Sequence, residues 1–352
     1  MKLFTVGPVE MYDETLNIGS KQIPYFRTEE FSNTMLKIKN NFLSLVDAPL
    51  DSSFAVLTAS GTGAMECAVL NCLNKNDKVL VINGGSFGKR FSELCEALEI
   101  PHDDLVLPFG KTLTLSQLES YEGKQYTALL VNMHETSIGQ LYDINMLGDF
   151  CERNGMHLIV DAVSSFLVDE LSMNKMKIDL MLTASQKALA LSPGLSFIVS
   201  SPRMTAKINE NKVSSIYFDL KSYFKNMERG QTPFTPAVGI VYELEERLQS
   251  IVDKGIVAIL EEKSELANYF RKKCADLPIE IPNYPLSNGL TPIVFPNNNA
   301  YELFLLAKEK YGLMLTPNGG DLANKVLRIG HMGNMSKSDY DKVIEFFKEV
   351  LQ

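Results

Sequence analysis

Two ionisable residues stand at the ends of apolar runs that are typical of buried β-strands. Asp161 ends the run HLIV (157–160), and Lys187 stands between LMLTA (180–184) and the uncharged stretch ALALSPGLSF (188–197). A lysine is costly to bury unless it is neutral, paired or covalently bound. Burial also lowers the pKa of a lysine, which makes its amine a nucleophile near neutral pH. We therefore expect Lys187 to be a reactive amine and Asp161 to meet a cation or a strong donor.

A third feature is suited to binding an anion. The segment SGTGAME (60–66) follows the apolar run FAVLTA (54–59) and opens a helical pattern. Its glycines let the backbone turn tightly, and the free N–H groups and positive dipole at a helix start attract anions. The hydroxyls of Ser60 and Thr62 add donors. Glu66 stands where a dinucleotide-binding fingerprint has its third glycine, so a phosphate site and a simple helix cap both stay open.

Together these three features are the parts that pyridoxal phosphate requires. The lysine forms the Schiff base, the aspartate keeps the pyridinium nitrogen protonated, and the loop binds the phosphate. Each residue alone also has a purely structural explanation. Aspartate, for example, is a favoured helix N-cap. Their ordered combination at successive strand ends favours the cofactor.

The elements that position these residues follow a regular pattern. Short apolar runs alternate with amphipathic segments, and the predicted strands are 54–59, 78–83, 105–109, 127–133, 157–162, 179–184 and 196–201, with helices over 62–73, 88–98 and 143–155. This alternation predicts an α/β fold with a mostly parallel sheet between two layers of helices. After residue 245 two long helices, short strands and further helices predict a smaller α+β domain. The predicted division is an N-terminal segment (1–15), a large domain (16–245) and a small domain (246–352).

Composition excludes several classes of protein. The chain has 352 residues with a net charge of −9, which argues against a nucleic-acid surface. No run approaches the ~20 apolar residues of a membrane span. The N-terminus carries acids, glycine and proline, which argues against a signal peptide, so we expect a cytoplasmic protein. The five cysteines form no CxxC pair, so reduced, buried thiols are expected, and no metal site is predicted.

Motifs spread over almost the whole chain resemble the class V aminotransferases of the fold-type I pyridoxal-phosphate enzymes. They are TVGPVEM, YFRTEEF, TASGTGAMECAVLN, GGSFGKRFSE, HETSIGQ, LIVDAVSS, TASQKALALSPGLSF, QTPFTPA and LRIGHMG. The branch that they resemble contains alanine–glyoxylate, serine–pyruvate and 2-aminoethylphosphonate–pyruvate transaminases. The resemblance implies a ping-pong transaminase that moves an amino group from alanine, serine or 2-aminoethylphosphonate to pyruvate or glyoxylate.

The resemblance also implies the roles of individual residues. Lys187 is the Schiff-base lysine and proton carrier, and Arg328 binds the substrate carboxylate. Phe87 stacks on the cofactor ring, and Val163 packs on its other face. The remaining implied residues are Ser60, Gly61 and Thr62 with Gln186 at the phosphate, Asp161 at the ring nitrogen, Thr136 near the phenolic oxygen, and Pro8 and Val9 at the substrate pocket.

Members of this branch are homodimers with shared sites, which implies that Thr232 of one subunit reaches the phosphate of the other. Arg229 stands where relatives often have tyrosine. A second phosphate-binding guanidinium, one directed at an acidic substrate tail, and a solvated charge all stay open for it. For Arg27 a structural ion pair is expected, and His134 is not expected to be catalytic.

Two other functions are weighed against a transaminase. A cysteine desulfurase or selenocysteine lyase of the same superfamily would need a nucleophilic cysteine on a C-terminal loop. The only cysteine after Cys151 is Cys274, which lies in a helical pattern. A non-catalytic sugar- or phosphate-binding protein would not need the buried lysine.

Overall fold

The structure is a computed structural model that describes residues 1–297 and 299–351. Its strands in these ranges are β1 (Lys2–Leu3), β2 (Ser53–Leu57), β3 (Val79–Asn83), β4 (His102–Val106), β5 (Ala128–Asn132), β6 (His134–Glu135), β7 (Gln140–Leu141), β8 (His157–Asp161), β9 (Leu180–Ala184), β10 (Ser196–Ser200), β11 (Leu290–Val294), β12 (Leu313–Met314), β13 (Thr316–Pro317) and β14 (Val326–Gly330). Its helices are α1 (Asp13–Gly19), α2 (Glu29–Leu45), α3 (Gly61–Cys72), α4 (Ser86–Ala97), α5 (Leu115–Glu119), α6 (Ile144–Arg153), α7 (Pro202–Glu210), α8 (Leu220–Met227), α9 (Val238–Lys254), α10 (Ile256–Cys274), α11 (Ala300–Tyr311) and α12 (Lys337–Val350).

The central sheet has seven strands in the order β2-β10-β9-β8-β5-β3-β4. Its neighbouring strands are parallel except where β10 is one of the pair. Because β10 is antiparallel to both of its neighbours, β2 runs in the same direction as β9 and the other strands. The carboxyl ends of β2, β3, β5, β8 and β9 therefore meet at one edge of the sheet. The predicted α/β fold with a mostly parallel sheet is confirmed.

Both faces of this sheet are buried, which explains why its strands are apolar throughout. In β8, Leu158 and Val160 enter a core that includes residues of α2, α6 and α9, whereas Ile159 enters a second core with residues of α3, α4, α7 and α8. Side chains of a strand alternate between the two faces. Asp161 therefore lies on the same face as Ile159, toward α3 and α4.

The C-terminal part of the chain forms a second sheet with a separate core. Strands β11, β14 and β13 are antiparallel and pack with α10, α11 and α12. Strand β1 pairs with β12, and Phe4 lies in this core. The N-terminal segment is thus anchored on the C-terminal part before it reaches the edge of the central sheet. The predicted divisions after residues 15 and 245 stay predictions; the second falls within α9.

Local sequence explains where several elements end. Gly155 and Gly255, with φ of +66° and +85°, follow α6 and α9, and such values favour glycine. The strand predicted at 105–109 begins and ends earlier in the structure, where it is β4 (His102–Val106). Because β4 is an edge strand, its first residues are polar, and an apolar pattern does not reveal where it begins. Pro108 lacks the N–H that would extend the strand at its other end. None of the helices in the described ranges combines the length and hydropathy that crossing a membrane requires.

Candidate active site

Lys187 lies just beyond the carboxyl end of β9, and its residue surface is only 9% exposed. Its Nζ donates a hydrogen bond to the carbonyl oxygen of Val6 at 2.6 Å. The backbone of Gly7 packs on the same side chain, because a Cβ built on Gly7 would lie 2.7 Å from Lys187 Cδ and 3.0 Å from its Nζ. Burial and the charge of Arg328 lower the pKa of Lys187 to about 8, while Asp161 opposes this shift. The N-terminal segment therefore covers an amine that loses its proton close to neutral pH.

Asp161 is the last residue of β8, the strand next to β9. Its Oδ1 accepts a hydrogen bond from the N–H of Val163 at 2.8 Å. Burial raises the pKa of Asp161 to about 6, against the opposing effects of the Val163 N–H and the charges of Lys187 and Arg90. The charges of Lys187 and Arg90 thus favour the ionised form of this carboxyl, whereas burial disfavours it. The structure brings Asp161 and Lys187 to the same sheet edge on neighbouring strands, as their positions in the sequence predict.

The segment predicted to bind an anion lies at the start of α3. Ser60 is the N-cap, and its Oγ accepts a hydrogen bond from the N–H of Gly63 at 3.2 Å. Gly61 and Thr62 are the first residues of the helix, so their N–H groups have no intrahelical acceptor. A Cβ on Gly61 would come within 3.1 Å of Val163 Cγ2. Glycine thus lets the helix start approach the segment after Asp161, where its N–H groups and dipole can bind a phosphate.

Phe87 is half-buried in the first turn of α4, and the buried carboxylate of Glu135 fixes that turn. Glu135 Oε2 accepts hydrogen bonds from the N–H groups of Phe87 at 3.2 Å and Gly88 at 3.0 Å. It also accepts one from Asn132 Nδ2 at 3.0 Å, while Oε1 accepts from the N–H of Ser137 at 3.1 Å. Glu135 is not among the residues predicted from the sequence. Its signal is a carboxylate three residues past a buried strand, in the motif HETSIGQ.

Arg90 is a second site residue that the sequence pattern did not single out. Its guanidinium carbon lies 5.0 Å from the centroid of the Phe87 ring. Its Nη1 donates a hydrogen bond to Thr62 Oγ1 at 3.1 Å. The available signal is the spacing of three residues from Phe87, which places both side chains on one face of α4.

Arg328, on β14, faces the same edge from the C-terminal part of the chain. Its Nη1 donates to the carbonyl oxygen of Thr136 at 3.2 Å and its Nη2 to that of Pro317 at 2.7 Å. Its Nε is buried without a protein acceptor in the ranges that the structure describes. Burial lowers the pKa of Arg328 to about 10, opposed by the charge of Glu135. The Thr136 hydroxyl shares a hydrogen bond of 2.6 Å with that of Ser164. A guanidinium held by carbonyls, with one N–H left unpaired, is suited to binding a carboxylate.

The contacts of the other predicted pocket residues say less about their roles. Pro8 is exposed, whereas Val9 is buried against Gly333. The half-buried side chain of Gln186 makes no hydrogen bond to the described residues. Burial lowers the pKa of His134 to about 3, so its ring is neutral, and its Nδ1 lies 3.0 Å from the carbonyl oxygen of Ser164. Nothing in these contacts gives His134 a catalytic role.

Thr232 and Arg229 lie on the segment between α8 and α9. The Thr232 hydroxyl donates to the carbonyl oxygen of Phe234 at 2.7 Å, and the exposed Arg229 donates to Asn226 Oδ1 at 2.7 Å. Within residues 1–297 and 299–351, neither side chain hydrogen-bonds to Lys187. Their predicted role concerns a second subunit and stays a prediction.

Within the residues that the structure describes, Arg27 does not form the ion pair expected for it. Its Nη1 donates to Gln231 Oε1 at 3.0 Å and to the carbonyl oxygen of Thr232 at 2.9 Å. The loop presents neutral acceptors, so the guanidinium is satisfied without a carboxylate. Arg27 therefore holds the loop that carries Thr232.

Taken together, the site contains a buried amine of lowered pKa, a carboxyl group, a helix start with free N–H groups and a guanidinium. The family model for class V aminotransferases matches residues 12–338 of this chain. The soluble hydrogenase 42 kDa subunit of Anabaena cylindrica is 28% identical over 100% of this chain and 93% of its own length. An uncharacterized aminotransferase of Methanocaldococcus jannaschii is 31% identical, over 94% and 87% of the two chains.

Two further comparisons concern aminotransferases with a named activity. The alanine–glyoxylate aminotransferase of Oryctolagus cuniculus is 28% identical over 98% of this chain and 91% of its own. The crystal structure of an aspartate aminotransferase of subgroup IV from Thermus thermophilus superposes with a TM-score of 0.92 at 26% identity, covering 100% of this chain and 99% of that one.

Proposed function

The chain belongs to the class V aminotransferases, and on that premise we propose that it binds pyridoxal phosphate at Lys187 and transfers amino groups between small amino acids and small 2-oxo acids. The observation that carries the proposal is the buried amine of Lys187, whose pKa is lowered to about 8 and which interacts with the charge of Asp161. The proposed donor is alanine, serine or 2-aminoethylphosphonate, and the proposed acceptor is pyruvate or glyoxylate.

The residues of the site fit pyridoxal phosphate. A Cβ on Gly61 would lie only 3.1 Å from Val163 Cγ2, so glycine leaves more room between the start of α3 and Val163. The buried Nε of Arg328, without a protein acceptor in the described ranges, provides a place for a substrate carboxylate. The residues that would hold the cofactor are Ser60, Gly61, Thr62 and Gln186 at the phosphate, Phe87 and Val163 on the ring faces, Asp161 at the ring nitrogen, and Thr136 near the phenolic oxygen.

When bound, pyridoxal phosphate supplies an electron sink for the negative charge that develops on the substrate α-carbon. Lys187 Nζ can take a proton from that carbon and return it, because a pKa near the working pH suits both directions. The Asp161 carboxylate would hold a proton on the ring nitrogen, and the Val163 N–H keeps Oδ1 in place. Val6 and Gly7 cover Nζ and limit the access of water to it.

Arg328 orients the substrate. A planar guanidinium binds a carboxylate through two parallel hydrogen bonds, and the carbonyls of Thr136 and Pro317 fix this one in place. Pro8 and Val9, in the N-terminal segment, would bound the substrate side chain. The alanine–glyoxylate relative is named for substrates of this small size.

The proposal includes a cytoplasmic homodimer in which Thr232 and Arg229 contribute to the phosphate site of the second subunit. Its support is an exposed apolar surface beside the start of α3. Ile216 is 84% exposed, and the ring of Tyr217 stacks on Phe234 with 5.2 Å between centroids. Sedimentation of the purified protein tests this point, and a monomer at micromolar concentration would refute it.

A half-reaction screen tests the proposed activity. The purified protein is loaded with pyridoxal phosphate, single amino acids are added, and the visible absorbance of the lysine-bound cofactor is followed. A donor removes this band and releases one equivalent of its carbonyl product, which is a 2-oxo acid from alanine or serine and an aldehyde from 2-aminoethylphosphonate. If alanine, serine and 2-aminoethylphosphonate all leave the band unchanged, the proposed donors are wrong; if no amino acid removes it, transamination itself is refuted.

The lyase alternative is disfavoured by the state of its cysteine. Cys274 is 2% exposed at the end of α10, and burial raises the pKa of its thiol to about 12. A lyase of the desulfurase type needs a thiolate that reaches the substrate. Formation of alanine from cysteine by the loaded enzyme, with release of sulfide when a thiol reductant is added and loss of both in Cys274→Ala, would reverse this conclusion.

A further inference from the structure

Arg90 joins two parts of the site that the mechanism above leaves separate. It stands on α4 one turn after Phe87, and its guanidinium carbon lies 5.0 Å from the centroid of that ring. Its Nη1 donates to Thr62 Oγ1 at 3.1 Å, in the first turn of α3. One side chain therefore contacts both the ring that would stack on the cofactor and a hydroxyl that would bind its phosphate.

The guanidinium is suited to both contacts at once. Its face can lie over an aromatic ring while its N–H groups donate outward in the plane. An ammonium group lacks this plane, so lysine could keep the charge but not both contacts. The other N–H groups of Arg90 donate to no protein atom in the described part of the chain.

We propose that Arg90 is a positioning residue that aligns Phe87 and Thr62 for pyridoxal phosphate before the cofactor binds; this inference rests on the proposed function. Without Arg90, the Phe87 ring loses the group that packs on it and the Thr62 hydroxyl loses its donor. The positive charge of Arg90 also stands beside the start of α3, where it attracts a phosphate. It further favours the ionised form of Asp161, against the burial that raises the pKa of that carboxyl to about 6.

The test compares two ligands on the apoprotein. Pyridoxal phosphate and pyridoxal, which lacks the phosphate, are titrated separately, and binding is followed by absorbance and by the circular dichroism induced in the ligand. The variants are Arg90→Met and Arg90→Lys. The matched control is Lys89→Met, which removes an exposed charge from the same helix; Lys89 Nζ pairs only with Glu93, at 3.3 Å, in the described ranges. Thermal unfolding of each apoprotein is measured alongside.

For Arg90→Met we expect the Kd for pyridoxal phosphate to rise about tenfold and that for pyridoxal about threefold, with an altered dichroism of both, because both contacts are lost. Arg90→Lys should fall between this variant and wild type, and Lys89→Met should stay within about twofold of wild type. Unchanged affinities and dichroism in Arg90→Met would overturn the inference alone. So would an equal loss for both ligands that follows a lower melting temperature. Failure of wild type itself to bind pyridoxal phosphate would instead overturn the proposed function, and this inference with it.

Discussion

Gly7→Ala is expected to disturb Lys187 rather than only the local backbone. Gly7 has φ +134°, and a Cβ there would lie 2.7–3.0 Å from Lys187 Cδ, Cε and Nζ. The backbone cost is about 1–3 kcal/mol. Because the Lys187 side chain must also move, its hydrogen bond to Val6 is lost, which adds about 1.5–3 kcal/mol. The free energy of unfolding should therefore fall by roughly 2.5–6 kcal/mol.

Gly110→Ala is the matched control. Gly110 has φ +84°, and a Cβ placed on it would have no atom within 4 Å, so only a backbone cost of about 1–2 kcal/mol is expected. Urea denaturation of the apoproteins measures both losses. A double-mutant cycle with Lys187→Ala isolates the contact, with an expected coupling of about 1.5–3 kcal/mol. Equal losses in Gly7→Ala and Gly110→Ala, with no coupling to Lys187, would refute a covering N-terminal segment.

Other substitutions test the groups around the amine. Asp161→Asn should keep cofactor binding but lower kcat by about 100-fold or more, since the charge that holds the ring proton is lost; an active variant would remove Asp161 from the mechanism. Glu135→Gln leaves N–H donors such as that of Phe87 poorly paired, so urea denaturation should show that the free energy of unfolding falls by roughly 2 kcal/mol. A fall below about 0.5 kcal/mol would contradict the role of Glu135 in fixing the first turn of α4. Acylation of Lys187 in the apoprotein should rise with pH through a midpoint near its pKa of about 8, because the neutral amine reacts. Arg328→Met should move this midpoint upward, since the Arg328 charge lowers that pKa, and a midpoint that stays fixed would show that the two charges do not interact.

The sequence predicts the sheet edge well because its strands are buried on both faces. Continuous apolar runs locate β8 and β9, and polar residues directly after them locate Asp161 and Lys187. The pattern does not reveal the direction of β10, since a buried strand has the same composition in either orientation. It also misplaces β4, whose edge position admits polar residues such as Asp103.

The supporting residues depend on contacts between distant segments, which spacing alone does not show. Glu135 acts on the start of α4, 47 residues away along the chain. Arg90 reaches across to α3, and Val6 reaches Lys187 over 181 residues. Arg27 illustrates the same limit, since its type suggests an ion pair but its partners are a side-chain amide and backbone carbonyls. Such contacts become visible only when the fold brings the segments together.

The central claim is that Lys187 is the amine that bonds the cofactor. Its place at the sheet edge, and not burial alone, gives it this role. Lys263 provides the internal comparison, since it is 1% exposed and its Nζ also donates to a backbone carbonyl, that of Gly333 at 2.9 Å. The direct measurement is borohydride reduction of the protein loaded with pyridoxal phosphate, followed by peptide mapping by mass spectrometry. The predicted result is one phosphopyridoxyl group per chain, on Lys187, with Lys263 unmodified. A group on another lysine, or none, would contradict the claim.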